Sequence, residues 1–94
     1  MTEDKLFSKA REFASQYSND ISVDDSHRES AFAGGKEFAC VPLSFPAKGN
    51  KRLMEELLQS GFCTKMQGAA IGGKRICRVL LWIDPETYEF HKVN

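Results

Sequence analysis

The stretch GAAIGGKR, residues 68–75, sets Gly68, four residues, Gly73 and Lys74 at the spacing of a phosphate-binding loop, with Arg75 where a Ser or Thr would hold Mg²⁺. Such a loop needs a helix N-terminus behind its glycines, so that backbone N–H groups converge on phosphate. The segment after Arg75 is instead ICRVLLWI, β-branched and aromatic with no helical repeat, and the segment before Gly68 is the strand-like FCTKMQ. The spacing therefore predicts a β-hairpin, residues 62–67 and 74–83, with Gly72 and Gly73 supplying the positive φ of a tight turn.

Other reactive side chains are few. Cys40, Cys63 and Cys77 lack C-x-x-C spacing and sit among apolar or strand residues, which predicts free structural thiols. A nucleophilic pair of Cys40 or Cys63 with His91 has no flanking signature and no third orienting group. His27 lies in an acidic stretch with Asp24, Asp25 and Glu29, but these lack the glycine placement and ligand spacing of a calcium loop. No catalytic residue, metal or cofactor is expected, and the chain reads as a non-enzyme.

Charge carries more information. The formal net charge is +0, yet residues 1–47 hold 5 basic and 8 acidic side chains and residues 48–94 hold 8 basic and 5 acidic. Between residues 48 and 78 stand Lys48, Lys51, Arg52, Lys65, Lys74, Arg75 and Arg78 against Glu55 and Glu56. A cluster of this kind suits phosphate or an acidic protein surface; the alternative is that it faces the acidic loop of its own chain.

Periodicity indicates the elements that must position these groups. Leu6, Phe7, Ala10, Phe13, Ala14 and Tyr17 make the stripe of an amphipathic helix over residues 2–17, with Thr2 as cap. Residues 18–35 read as an acidic surface loop with room for a short strand at 21–23. Residues 36–45 read as a strand, placed at an edge because Pro42 lacks an N–H. Leu53, Met54, Leu57 and Leu58 mark a second helix over residues 50–60, with Asn50 as cap and Gly61 at the stop. The strand 74–83 is apolar on both faces and must be central; with 36–45 and 62–67 antiparallel on either side, the helix becomes a split β-α-β crossover. The tail ETYEFHKVN has a weak alternation that admits one more short strand. No internal repeat is evident in the sequence.

The expectation is one α+β domain over residues 1–94, in the order α-β-α-β-β, with an antiparallel sheet and two helices. If both helices share one face, the other must bury itself against a second copy or a partner, which makes a homodimer one expected state. With no apolar run near a membrane span and an acidic amphipathic N-terminus unlike a signal peptide, the chain is expected to be cytoplasmic and not membrane-bound.

The function expected from this pattern is a small regulatory or inhibitory protein that binds a macromolecule, in first place a protein, through its basic hairpin and sheet edge. The contact residues would be Lys51, Arg52, Lys65, Lys74 and Arg75. Lys51 and Arg52 in a helix's first turn, Gly61-Phe62 at its exit, and a hairpin tipped by Lys74 and Arg75 also resemble, over residues 48–83, the recognition helix and wing of winged-helix domains. That resemblance implies a nucleic-acid-binding module. It departs from the family where KEFACVPLSFP, a strand, fills the space of the two helices that precede a recognition helix.

Overall fold

A computed structural model describes residues 4–24 and 29–93. The run KRICRVLLWI has the β-branched, two-faced apolar character of a strand covered on both edges, and β6 (Lys74–Ile83) lies in the middle of the sheet. Along one edge it pairs antiparallel with β3 (Lys36–Pro46), from Ala39 opposite Ile83 to Pro46 opposite Ile76. Along the other it pairs with β4 (Cys63–Lys65) and β5 (Ala69–Ile71), both antiparallel. The outer edge of β3 carries β1 (Ser22–Val23) and β2 (Glu29–Ala33). With α1 (Asp4–Ser15) and α2 (Lys51–Gln59), this is an α+β domain with two helices and a six-stranded antiparallel sheet.

The expected order α-β-α-β-β is corrected to α-β-β-β-α-β-β-β. Within residues 18–35, the short strand expected at 21–23 is β1, and β2 stands where only loop was expected. The short polar ESAFA strand is illegible in the sequence because its side chains alternate between half-buried and exposed without a clear apolar face. The first arm of the 62–67 hairpin is divided into β4 and β5. In the tail a single bridge, Ile83 to Phe90, stands in place of the additional short strand. The Thr2 cap lies outside the described residues.

Pro42 is not at an edge, since β3 has neighbours on both sides. Asp24 N–H donates to the Pro42 carbonyl at 3.1 Å, so the backbone of Pro42 faces away from β6. An extended residue points its N and its C=O to the same side, so the missing N–H falls on the outer edge. There, position 42 lies between the positions of β3 paired by β1, at 43–44, and those paired by β2, at 36–40. The proline costs no ladder bond to β6.

The two halves repeat one plan, helix, short strand, hairpin, long strand, which no sequence repeat announces. Ala31-Phe32-Ala33-Gly34-Gly35-Lys36 and Ala69-Ala70-Ile71-Gly72-Gly73-Lys74 are 38 residues apart and make the same two-residue type I′ turn, with φ of 59° and 79° in the first and 58° and 80° in the second. The short strands agree as well: Val23 pairs with Leu43, and Cys63 pairs with Leu81, which lies 38 residues beyond Leu43. Because β3 and β6 are antiparallel and Pro42 faces Leu80, the relation is a pseudo-two-fold whose axis pierces the sheet at that pair. Few residue identities survive outside the turns, and the connection from short strand to hairpin is longer in the first half, which hides the repeat.

A two-fold normal to the sheet keeps both helices on one side. Leu6, Phe7, Ala10 and Phe13 of α1 and Leu53 and Leu57 of α2 share one core with the odd-numbered side chains of β3 and β6, among them Val41, Leu43, Phe45, Val79, Leu81 and Ile83. Phe13, Phe62 and Phe90 close one end, with ring centroids 5.1–6.3 Å apart. The second face carries Phe38, Cys40, Pro42, Leu80 and Trp82, and no helix among the described residues covers it. The C-terminal tail shields part of it: the His91 ring stacks on Phe38 at 3.9 Å, and the His91 backbone N–H donates to the Trp82 carbonyl at 2.9 Å. Trp82 Nε1 donates to Thr64 Oγ1 at 3.0 Å across the strands. At the far end of β6, Lys36 Nζ meets Asp84 Oδ2 at 2.7 Å, which holds the Asp84 carboxyl below its ordinary range and raises the lysine.

Candidate functional site

The Gly68–Arg75 stretch is a hairpin turn and not a phosphate loop: Gly72 and Gly73 form the turn and β6, not a helix, comes next. Magnesium nucleotide is therefore expected to leave the melting temperature unchanged. A nucleotide at ~100 times its dissociation constant would add about 2.7 kcal/mol, so a rise of several degrees with ATP or GTP would refute the assignment.

Two of the thiols are held inert. Cys40 and Cys63 are buried, and desolvation pushes them from an ordinary 9.0 to about 11 and about 12, the Ser60 hydroxyl opposing the shift at Cys63. A thiolate is the nucleophile, and neither group yields one near neutrality. Their burial also sets the sign of a pH dependence. The folded chain keeps these protons while the unfolded chain releases them near pH 9, so stability falls as pH rises from about 9 toward 11–12 and is unaffected below. Denaturant midpoints at pH 8 and 10 should show this loss in the parent and less of it in Cys63→Ala. Equal losses would refute the assignment.

Asp25 and His27 lie outside the described residues, and among the described residues no three metal-binding side chains converge. No helix among them is long and apolar enough to cross a membrane.

The cations do converge. The Ala47 N–H donates to the Arg75 carbonyl at 3.0 Å, tying the start of the α2 connection to the base of the β5–β6 hairpin. Two grooves flank that tie. One, about 510 Å³, lies between α2 and the outer edge of β6, and its lining includes Lys65, Arg75 and Arg78 with Met54, Met66 and Ile76. The other, about 740 Å³, is lined by Pro46, Ala47, Lys48, Gly73, Lys74, Arg75 and Ile76. Neither lining holds an acidic residue. Of the five expected contact residues, Lys65 and Arg75 meet in the first groove and Lys74 joins Arg75 in the second. Lys51 and Arg52 are exposed in the first turn of α2, outside both linings. Lys48 and Arg78, with the two methionines, are not among the expected contacts, because only the fold brings them to Arg75.

A β-bulge shapes the first groove. From Lys65 to Ala69 the outer strand advances four residues while β6 retreats three, from Val79 to Ile76, so one extra residue is accommodated at 66–68. Arg78 Nε donates to the Gln67 carbonyl at 2.9 Å and fixes the bulge. Gly68 is required there, since a Cβ would stand 2.9 Å from the Ile76 carbonyl oxygen. None of Lys48, Lys51, Arg52, Lys65, Lys74, Arg75 and Arg78 is ion-paired among the described residues. Of the acids in residues 18–35, Glu29 lies on β2, at the opposite edge of the sheet from β4 and β5, while Asp20 reaches the start of α2, its Oδ2 accepting from Asn50 Nδ2 at 3.3 Å. Comparison of the chain with family models, with curated proteins and with solved structures finds no match.

Proposed function

We propose that the chain is a non-enzymatic protein-binding module, regulatory or inhibitory in effect, that occupies a partner protein's surface with its basic hairpin and the adjoining sheet edge. The observation that carries this reading is the gathering of cations from the α2 connection, β4 and the hairpin around two acid-free grooves. The internal repeat adds a control. Positions 37 and 40 of the first half correspond to 75 and 78 of the second, and they hold Glu37 and Cys40 where the second half has Arg75 and Arg78. One backbone plan tolerates either residue at the first of these positions, so the fold does not demand Arg75, whereas Arg78 also ties the bulge through Gln67. Two inert thiols also weigh against nucleophilic chemistry.

The resemblance to a winged helix weakens once the fold is known: α2 buries Leu53 and Leu57 against the sheet as a crossover between β3 and β4, and β2–β3 stands where preceding helices would be. Nucleic acid remains the other outcome of one experiment. Tagged protein is used to capture partners with and without nuclease, beside a Lys74→Glu/Arg75→Glu variant. Capture that survives nuclease and is lost on charge reversal supports the reading; capture abolished by nuclease overturns it.

A further inference from the structure

We infer that the groove between α2 and the β5–β6 hairpin receives an extended acidic peptide segment, which adds as a strand to β5 and seats one apolar side chain between Met54 and Met66. This rests on the protein-binding reading and names the partner's chemistry.

Backbone geometry supplies the strand site. In a two-residue hairpin the residues flanking the turn, Ile71 and Lys74, bond to each other, and the next pair, Ala70 and Arg75, turn their polar groups outward. The Arg75 carbonyl confirms that phase, since it accepts from Ala47 on the β3 side. The N–H and C=O of Ala70 therefore point off the sheet, and no strand among the described residues pairs with β5 on that side. An added strand satisfies them and continues the sheet. The bulge at 66–68 limits the receptive edge to β5, because it breaks the phase between β4 and β5 and bars a longer, indiscriminate pairing.

Side chains set the specificity. Lys65, Arg75 and Arg78 surround the groove with no acid to balance them, so an incoming segment must carry negative charge. With Nε engaged at Gln67, Arg78 is oriented at the bulge, and its terminal nitrogens remain donors for a carboxylate. Met54 and Met66 line the groove with apolar surface, and unbranched methionines adjust to a single inserted side chain. The lining contains no aromatic ring on which a base would stack, and the chain has no net positive charge, so peptide is favoured over single-stranded nucleic acid.

The probe is a blocked octapeptide of glutamate with one central leucine, titrated into isotopically labelled full-length protein to about 1 mM. The expected result is a set of amide shifts confined to residues 65–78 and the facing turn of α2. Affinity should fall about tenfold or more when the leucine is replaced by glutamate, or when the backbone nitrogen that bonds Ala70 is methylated. Lys65→Glu/Lys74→Glu, at two exposed positions, should abolish the shifts; Arg75→Glu provides a second variant should that one misfold. Absence of shifts, indifference to both peptide changes, or tighter binding of a single-stranded oligonucleotide at the same amides overturns the inference. If nuclease-resistant capture is lost on charge reversal while the peptide does not bind, the protein-binding reading stands and the acidic-strand assignment alone fails.

Discussion

Leu81→Ala should cost about 2–5 kcal/mol in denaturant unfolding, and Leu80→Ala, one residue away, roughly 1 kcal/mol or less. Leu81 has no exposed surface and belongs to the core under both helices, whereas Leu80 points to the helix-free face and is half-buried. Truncating Leu81 leaves a cavity between layers that cannot close, because β6 is held on both edges and neither Cys63 nor Val41, its cross-strand partners, can follow it. Truncating Leu80 removes contacts that solvent partly replaces. The comparison also tests the expectation of a homodimer. If a second copy covers this face in solution, Leu80→Ala will cost as much as Leu81→Ala, and the unfolding midpoint will rise with protein concentration. Equal, concentration-independent losses would contradict the two-layer arrangement.

That asymmetry is half legible in the sequence. Alternation along ICRVLLWI places Leu80 and Leu81 on opposite faces and makes the strand central, and the stripes Leu6-Phe7-Ala10-Phe13 and Leu53-Leu57 identify both helices. Nothing local says which side of a sheet a helix will take. The side is set by the pseudo-two-fold, which is itself concealed, because β2 is short and few residues outside the Gly-Gly-Lys turns match in sequence. Proline misleads at position 42: a missing N–H argues for an edge only when it faces a neighbour, and here it falls between the segments of β3 that β1 and β2 pair.

The candidate site divides the same way. Lys74 and Arg75 are legible because a turn is local, and Lys65 because it precedes the turn by few residues. Lys48 and Arg78 reach Arg75 through the Ala47 tie and the bulge at 66–68, which depend on the register between distant strands. Lys51 and Arg52 stand out in the sequence by their first-turn helical position, and the fold keeps them exposed but outside the grooves. Phe32 and Ile71, the two large apolar side chains left most exposed, at 73% and 68%, each stand beside one of the paired turns, one position apart in the repeat, since Phe32 corresponds to Ala70 and Ile71 to Ala33.

Lys74→Glu/Arg75→Glu should lower affinity for the partner by about 2–4 kcal/mol, roughly 30- to 1000-fold, and change folding stability by less than about 0.5 kcal/mol. Both side chains are exposed and unpaired among the described residues, so the fold loses no ion pair, and surface charges of this kind contribute little to stability. At the interface, Arg75 borders both grooves, so its reversal sets a negative charge between two cationic surfaces and repels an acidic segment in the groove beside α2. Equilibrium binding and thermal melts of parent and variant separate the two effects. The salt dependence then discriminates the partner. A nucleic acid would give a log–log slope near −0.9 per phosphate contacted, flattened by about two contacts in the variant, while a protein partner held partly by Met54, Met66 and Ile76 would show a shallower slope. Parent-like affinity in the double variant would move the functional surface off this edge, and a large drop in melting temperature would show instead that the hairpin cations hold the fold.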